Sequence, residues 1–238
     1  MDTITLDELT RADAMMTRVD RKYLLRESEA QQLIDALPDA TRVLTVAGTT
    51  SQRYDTTYFD TADLDSYFGA VRKRRKRFKV RVRTYVDTGA QFLEVKTKGP
   101  RGVTVKDRVP YDDPGAWDFV AETLGTLGPV DPLDLAPVMR NTYRRTTLSP
   151  PDPGRATIDR DLVWESADRR IADLDLVIVE TKSGPTPSSI DQLLFALGHR
   201  PRRVSKFGCG MAALHPELPA NNWHRTLTDY FERTPNYA

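Results

Sequence analysis

Little in this sequence points to disulfides, zinc, a membrane or a familiar nucleotide loop. Its single cysteine, Cys209, excludes an internal disulfide framework and fits a reducing compartment. His199, His215 and His224 have no metal-ligand spacing among themselves or with Cys209, so no zinc site is expected. No stretch approaches the roughly 20 apolar residues of a membrane span. The N-terminal MDTITLDELTRADAMM is acidic and lacks the apolar run of a secretory signal. Neither a Gly-x-x-x-x-Gly-Lys-Ser/Thr phosphate loop nor a Gly-x-Gly-x-x-Gly fingerprint occurs. Ser205 has no histidine nearby in sequence to activate it as a nucleophile. A formal net charge of +1 lacks the basic excess of a general nucleic-acid or membrane-surface coat. These absences lead to the expectation of a cytoplasmic protein forming one domain over residues 1–238, with a core of about 15–214 and a tail of 215–238.

Against that neutral background, VRKRRKRFKVRVRTY, residues 71–85, gathers nine lysines and arginines. From Arg72 to Arg77 the charges are consecutive and read as a solvated basic loop. From Lys79 the pattern alternates, with Lys79, Arg81 and Arg83 against Val80 and Val82, which is a strand with one charged and one apolar face. The theme recurs in TRVDRKYLL (17–25), QFLEVKTK (91–98) and VTVKDRV (103–109). Further strands are expected in SQRYDTTYFD, VMRNTYRRTTL, RATIDRDLVW and LDLVIVETK. Helices are expected in ESEAQQLIDAL, opened by Ser28 with Gln31 in capping-box position, in GAWDFVAETLG and in SSIDQLLFALG, and TADLDSYF reads as a short helical or turn segment. Gly208 and Gly210 read as turn chemistry, and Trp223, Leu227, Tyr230 and Phe231 as an amphipathic turn or two in the tail.

A sheet must bury one face, and here the aliphatic side has to pack under helices. Several basic faces on neighbouring strands would repel one another with nothing to compensate them. An antiparallel barrel with a wet, charged lumen resolves this, and such a lumen attracts a compact polyanion such as a phosphate chain. Three carboxylate–lysine pairs at i, i+2 spacing, Asp20 with Lys22, Glu94 with Lys96 and Glu180 with Lys182, place both groups on one strand face. Cross-strand salt bridges are the plain reading of such pairs. A divalent ion on a triphosphate needs the same mixture, oxygen ligands for the metal and cations for the phosphoryl oxygens.

RVDRKYLL, KVRVRTY, FLEVKTK, VTVKDRV, RATID, IVETK and RRVSKF occur in the order found in the VTC domain. That is the catalytic domain of the vacuolar transporter chaperone, a polyphosphate polymerase of the triphosphate tunnel metalloenzyme (CYTH-like) superfamily. The chain resembles the stand-alone bacterial form over about residues 15–214. The resemblance implies an α+β fold, an eight-stranded antiparallel tunnel with a basic lumen flanked by helices. It implies phosphate ligands at Lys22, Arg81, Arg83, Lys96, Lys106, Arg155, Lys182, Arg203 and Lys206, and a metal ligand at Glu180, with Asp20 and Glu94 as further candidates. Lys22, Arg81, Arg83, Lys96, Glu180, Lys182 and Lys206 are the expected catalytic set. Related triphosphatases carry paired glutamates on the first strand, where this chain has Arg18 and Asp20.

The implied activity is transfer of the γ-phosphate of ATP to a growing polyphosphate chain with Mn2+ or Mg2+ as cofactor. ATP and polyphosphate are the implied partners, with a membrane protein as a further candidate partner to receive the product, and neither membrane insertion nor specific nucleic-acid binding by this chain is expected. Two alternatives stand beside it: a metal-dependent triphosphatase on the same fold, and a non-catalytic module that binds polyphosphate or inositol phosphates. RNA binding has only the basic stretch 71–85 in its favour.

Overall fold

The computed structural model describes residues 1–12, 19–98, 104–125, 127 and 131–231. Two compact units share the chain: Met1–Arg53, Tyr143–Leu162 and Ala172–Val204 form the first, and Tyr54–Thr142, Val163–Ile171 and Ser205–Ala238 the second. Eleven strands are present among the described residues, in an α+β arrangement of antiparallel sheet and flanking helices. Eight of them lie on the main pairing path, which matches the expected strand number. That path is open, running from one end strand to the other, where a closed barrel was expected. Three short strands, outside the expectation, pair at its side.

The first unit contains β1 (Thr3–Ile4), α1 (Leu6–Ala12), β2 (Val19–Leu25), α2 (Glu27–Asp35) and β3 (Arg42–Leu44). It also holds parts of two long strands, β8 (Ala136–Ser149) and β9 (Arg155–Glu165), then β11 (Val177–Ser183) and α5 (Ser189–Ala196). β11 is the centre of a ladder with β2 on one side and β9 on the other, both antiparallel. The period-two pattern explains the packing. Tyr23 and Leu25 of β2, Ala156 and Ile158 of β9, and Val177 and Val179 of β11 join Leu33 of α2 and Ile190 and Leu194 of α5 in one apolar cluster. Arg18 and the start of TRVDRKYLL lie outside the described residues.

Helix α2 starts two residues earlier than a Ser28 cap would place it, with Arg26 at the N-cap position. The Arg26 amide donates to Glu29 Oε2 at 2.6 Å, and the Glu27 amide donates to Asp175 Oδ1 at 2.8 Å. Orphan amides of the first turn thus find carboxylates, one of them remote in sequence. At α5 the capping box is as local patterns dictate, with Ser188 and Asp191 exchanging bonds. Asp191 also accepts from Tyr23, Thr181 and Ser183, so this fully buried carboxylate ties β2 and β11 to the helix.

The second unit is built on β4 (Gln52–Asp60), β5 (Arg77–Tyr85), β6 (Ala90–Lys98) and β7 (Thr104–Pro110), an antiparallel meander. The short α3 (Asp65–Val71) joins β4 to β5, and α4 (Ala116–Gly125) follows β7. Phe78, Val80 and Val82 of β5 and Leu93 and Val95 of β6 pack under Ala116, Val120 and Leu124 of α4. The aliphatic face is therefore covered by a helix, as the alternation requires. β10 (Arg170–Ile171) pairs with the end of β9, and α6 (Lys206–Leu214) and α7 (His224–Tyr230) complete the unit. The tail residues Trp223, Leu227, Tyr230 and Phe231 are buried, as their spacing predicts.

Gly208 and Gly210 are helical residues of α6 and make no turn, which corrects the expectation. A Cβ at Gly208 would overlap the Trp223 ring, and one at Gly210 would overlap Trp164 and Met139. Two indoles press against one helix, and only glycine lets them approach so closely.

Candidate functional site

The covered faces leave a charged face in each unit, and each is centred on one glutamate. In the first unit, β11 projects Glu180 and Lys182 away from its apolar side. Register places Glu180 opposite Lys22 of β2 and Thr157 of β9, and Lys182 opposite Asp20 and Arg155. Lys182 Nζ donates to Glu180 Oε1 at 2.6 Å and to Asp20 Oδ2 at 3.3 Å, while Lys22 Nζ stands 4.0 Å from Glu180 Oε2. Alongside, Arg145 of β8 forks the fully buried Asp159 at 2.6 and 2.8 Å. Desolvation pushes the Glu180 carboxyl up, but the pull of Lys22, Lys182 and Arg145 outweighs it and holds the group far below the usual carboxylate range. The hydroxyl of Thr157, 4% exposed, has no hydrogen-bond partner among the described residues.

In the second unit the strands β5, β6 and β7 bring basic residues side by side in rows. Arg81, Glu94 and Arg108 form one row, Lys79, Lys96 and Lys106 the next, and Arg77 and Lys98 the third. Glu94 is the only carboxylate on this face of the three strands, and at 1% exposure it is out of water. Arg81 Nη2 and Nε reach its Oε2 at 2.6 and 2.7 Å, Lys106 Nζ reaches Oε1 at 2.6 Å, and Arg83 Nη1 lies at 3.9 Å. Desolvation raises the Glu94 carboxyl, yet Arg81, Arg83 and Lys106 together bring it down to about 2. The Lys106 ammonium is lowered to about 8, first by partial loss of water, with Arg81 and Arg83 adding to it and Glu94 opposing. Like charges directly opposite on adjacent strands are destabilising, and the lysine row is such a case.

Among the sequence-derived candidates, Asp20, Lys22, Arg155, Glu180 and Lys182 come together on the first face, and Arg81, Arg83, Glu94, Lys96 and Lys106 on the second. Arg203 is exposed, one residue beyond Arg202, whose amide donates to the Lys22 carbonyl at 2.7 Å. Lys206 opens α6, and its carbonyl accepts from Trp164 Nε1 at 2.9 Å. Of the three i, i+2 pairs, only Glu180–Lys182 closes as read. Asp20 turns across the ladder to Lys182, and Glu94 takes cations from the flanking strands. Cross-strand partners are nearer in a ladder than neighbours two residues along one strand.

Sequence reasoning missed Arg145, Asp159 and Thr157; it placed Lys79 on the charged strand face and considered Ser205 only as a nucleophile, giving neither a place in the site. The alternation Arg155, Thr157, Asp159 held a signal for two of them. Ser205 is tied up as the α6 cap, accepting from the Gly208 amide at 3.1 Å and from Lys79 Nζ at 3.2 Å. Lys79 Nζ also lies 5.1 Å from the centre of the Phe207 ring.

A divalent ion is the group that such a constellation would require, and the donor set decides how it would be held. No cluster of three or more His, Cys, Asp or Glu stands ready for a metal among the described residues. Glu180 and Asp20 share Lys182, so the protein supplies few oxygens by itself. That fits an ion carried in on a triphosphate, which takes one or two carboxylates and fills the rest of its shell with phosphate oxygens and water.

The VTC domain model matches residues 17–215 of this chain. A candidate adenylyl cyclase from Hippeastrum, described as revealing a dominant triphosphatase activity, is a structural neighbour with a TM-score of 0.54. The two are 18% identical, over 87% of this chain and 100% of that one. The PH1819 protein of Pyrococcus horikoshii OT3 gives a TM-score of 0.47 at 13% identity, covering 80% of this chain and 96% of that one. A comparison with curated proteins returned no match. Family and Hippeastrum neighbour agree with a triphosphate tunnel fold. No helix among the described residues is long and apolar enough to cross a membrane.

Proposed function

The chain belongs to the VTC domain family, and we propose that it is an ATP-dependent phosphotransferase that builds polyphosphate. One observation carries this reading. Rows of lysine and arginine stand side by side on β5–β7 around a single buried carboxylate, an arrangement that a polyanion would relieve. Phosphoryl transfer is mainly positioning and charge neutralisation. Arg81, Arg83, Lys96, Lys106 and the companion cations Lys22, Arg155, Lys182, Arg203 and Lys206 are proposed to bind phosphoryl oxygens. Glu180 is the residue proposed to hold the Mn2+ or Mg2+ that accompanies the triphosphate, and the ion would neutralise charge on the phosphates.

In the proposed reaction a terminal phosphate oxygen of the growing chain attacks the γ-phosphorus of ATP. The bond from that phosphorus to the β–γ bridging oxygen breaks, and ADP leaves with the electron pair. No side-chain nucleophile is required. This suits a chain whose Ser205 caps a helix and whose Cys209 is buried.

Hydrolysis on the same fold would need a carboxylate free to orient water. Asp20, Glu94 and Asp159 are each engaged by a cation and Glu180 is assigned to the metal ion, which favours transfer to phosphate. The test is purified protein with ATP and Mn2+, analysed by gel for polymer and by assay for ADP. Polymer and ADP in step support the proposal, whereas orthophosphate without polymer supports the triphosphatase reading. Tight phosphate binding without turnover would leave only the binding module.

A further inference from the structure

The consecutive basic residues before β5 are not absorbed by the reaction above, and their geometry differs from that of a loose loop. Arg72 to Lys76 are all exposed. Even so, the turn is pinned: the Arg74 amide donates to the Gly69 carbonyl at 2.9 Å, and Arg77 Nη1 to the Arg74 carbonyl at 2.7 Å. Asn222 Nδ2 donates to the Val71 carbonyl at 2.6 Å, fixing the end of α3 from a remote segment. Lys73 takes a left-handed φ of 53°, a conformation that a lysine adopts at a cost. From Arg72 to Arg77 there is no ion pair to any carboxylate among the described residues. Other exposed arginines of the same unit do find one, Arg140 with Asp55 and Glu165 and Arg170 with Glu165.

This fixed cluster continues the rows of the charged face. Arg77 faces Lys98, and the next row inward is Lys79, Lys96 and Lys106. From Arg83 to Arg77 the strand rises over six residues, about 20 Å. On β5–β7 the one carboxylate of this face, Glu94, lies in the row of Arg81, and none stands further towards the turn; the neighbouring Asp60 of β4 is buried and taken up by the amides of Thr61, Ser66 and Tyr67.

We infer that Arg72–Lys76, with Arg77 and Lys98, form a binding site for phosphate chains longer than a triphosphate. The inference rests on the proposed phosphate chemistry and extends it from the reacting group to the length of chain held. A polyanion recognised by charge alone fits best. Single-stranded nucleic acid would need stacking platforms, and the nearby ring of Phe68 is already covered by Arg72 at 4.6 Å. A membrane surface would need apolar side chains to insert, and none of the large exposed hydrophobics falls between residues 65 and 79.

The test compares the whole chain with its Arg74→Ala/Arg75→Ala/Lys76→Ala variant for binding of tripolyphosphate and of long-chain polyphosphate at physiological salt. Arg170→Ala serves as a control for losing an exposed but paired arginine, and thermal melting verifies folding. The expected result is a roughly tenfold or greater loss of long-chain affinity in the triple variant, with tripolyphosphate binding unchanged and the control like wild type. Equal loss for both ligands, or loss for neither, would overturn this inference and leave the phosphate reading standing. So would a defect seen only with RNA or with anionic vesicles. Wild-type protein that binds neither phosphate would overturn the phosphate reading itself.

Discussion

Glu180 and Glu94 are both glutamates on charged strand faces, both are held below the usual carboxylate range by lysine and arginine, and their surroundings are opposite. Around Glu180 the cations Lys22, Arg145, Arg155 and Lys182 are accompanied by Asp20 and Asp159, so the face is close to charge balance. Around Glu94 the rows of β5–β7 contain no second carboxylate. A balanced face with a partly accessible oxygen suits a hard cation bound jointly with phosphate. An unbalanced one suits phosphate alone, and there the glutamate serves to hold arginines in place. The same residue type is thus read as a ligand in one unit and as an organiser in the other.

The sharpest break between the two is expected from removing each charge. Glu180→Gln keeps the size of the side chain and loses the negative charge that the ion requires. Turnover should fall by about a hundredfold or more, with the melting temperature little changed, as steady-state kinetics and thermal melting would show. Glu94→Gln should act first on stability, because it strands Arg81, Arg83 and Lys106 around a neutral group. A loss of about 3–5 kcal/mol is expected in denaturant unfolding, partly restored by added tripolyphosphate. If Glu94→Gln were the stable, inactive variant and Glu180→Gln the unstable one, the assignment would be reversed.

Acid should report the same asymmetry. The Glu94 carboxyl lies at about 2 against an ordinary 4.5, so its stabilising contribution is present above pH 4.5 and is lost as pH falls from 4.5 towards 2. Stability measured across that window should fall less steeply in Glu94→Gln than in wild type. An identical slope would show that the arginines do not depend on this charge.

Binding should sharpen the contrast further. Arg81→Ala should cost roughly 1.5–3 kcal/mol in phosphate affinity, read by calorimetry. That deficit should persist at high salt, where the Debye length shrinks to about 3 Å. A deficit that vanished with salt would place Arg81 in solvent.

The smallest effect concerns Thr157. Thr157→Val removes a hydroxyl that has no hydrogen-bond partner among the described residues, so stability should hold or rise slightly. If that hydroxyl meets substrate beside Glu180, turnover should drop by roughly tenfold, about one hydrogen bond, and Thr157→Ser should restore it. Unchanged turnover in the valine variant would make the residue a spectator.

The difference between the faces was only partly legible in the sequence. Period-two alternation fixes which residues of one strand share a face, so Asp20 with Lys22, Glu180 with Lys182, or Arg81 with Arg83, were readable. Register across strands is not written in any one strand. For that reason the Glu94–Lys96 pair gave way to Arg81 and Lys106, and Arg145 with Asp159 went unseen. Gly208 and Gly210 looked like a turn because their reason is the remote rings of Trp223 and Trp164. Ser28 looked like a cap because Asp175, far along the chain, was invisible as the competing acceptor. Local rules suffice where the partner is local, as at the Ser188–Asp191 capping box of the expected helix SSIDQLLFALG.

The most direct measurement follows the γ-phosphate of radiolabelled ATP, with Mn2+ present, in the wild type and in Glu180→Gln. The account predicts that the wild type moves the label into chains of increasing length while unlabelled ADP accumulates, and that Glu180→Gln leaves the label on ATP. Label appearing as orthophosphate with no chain, or equal chain formation by the two proteins, would contradict it.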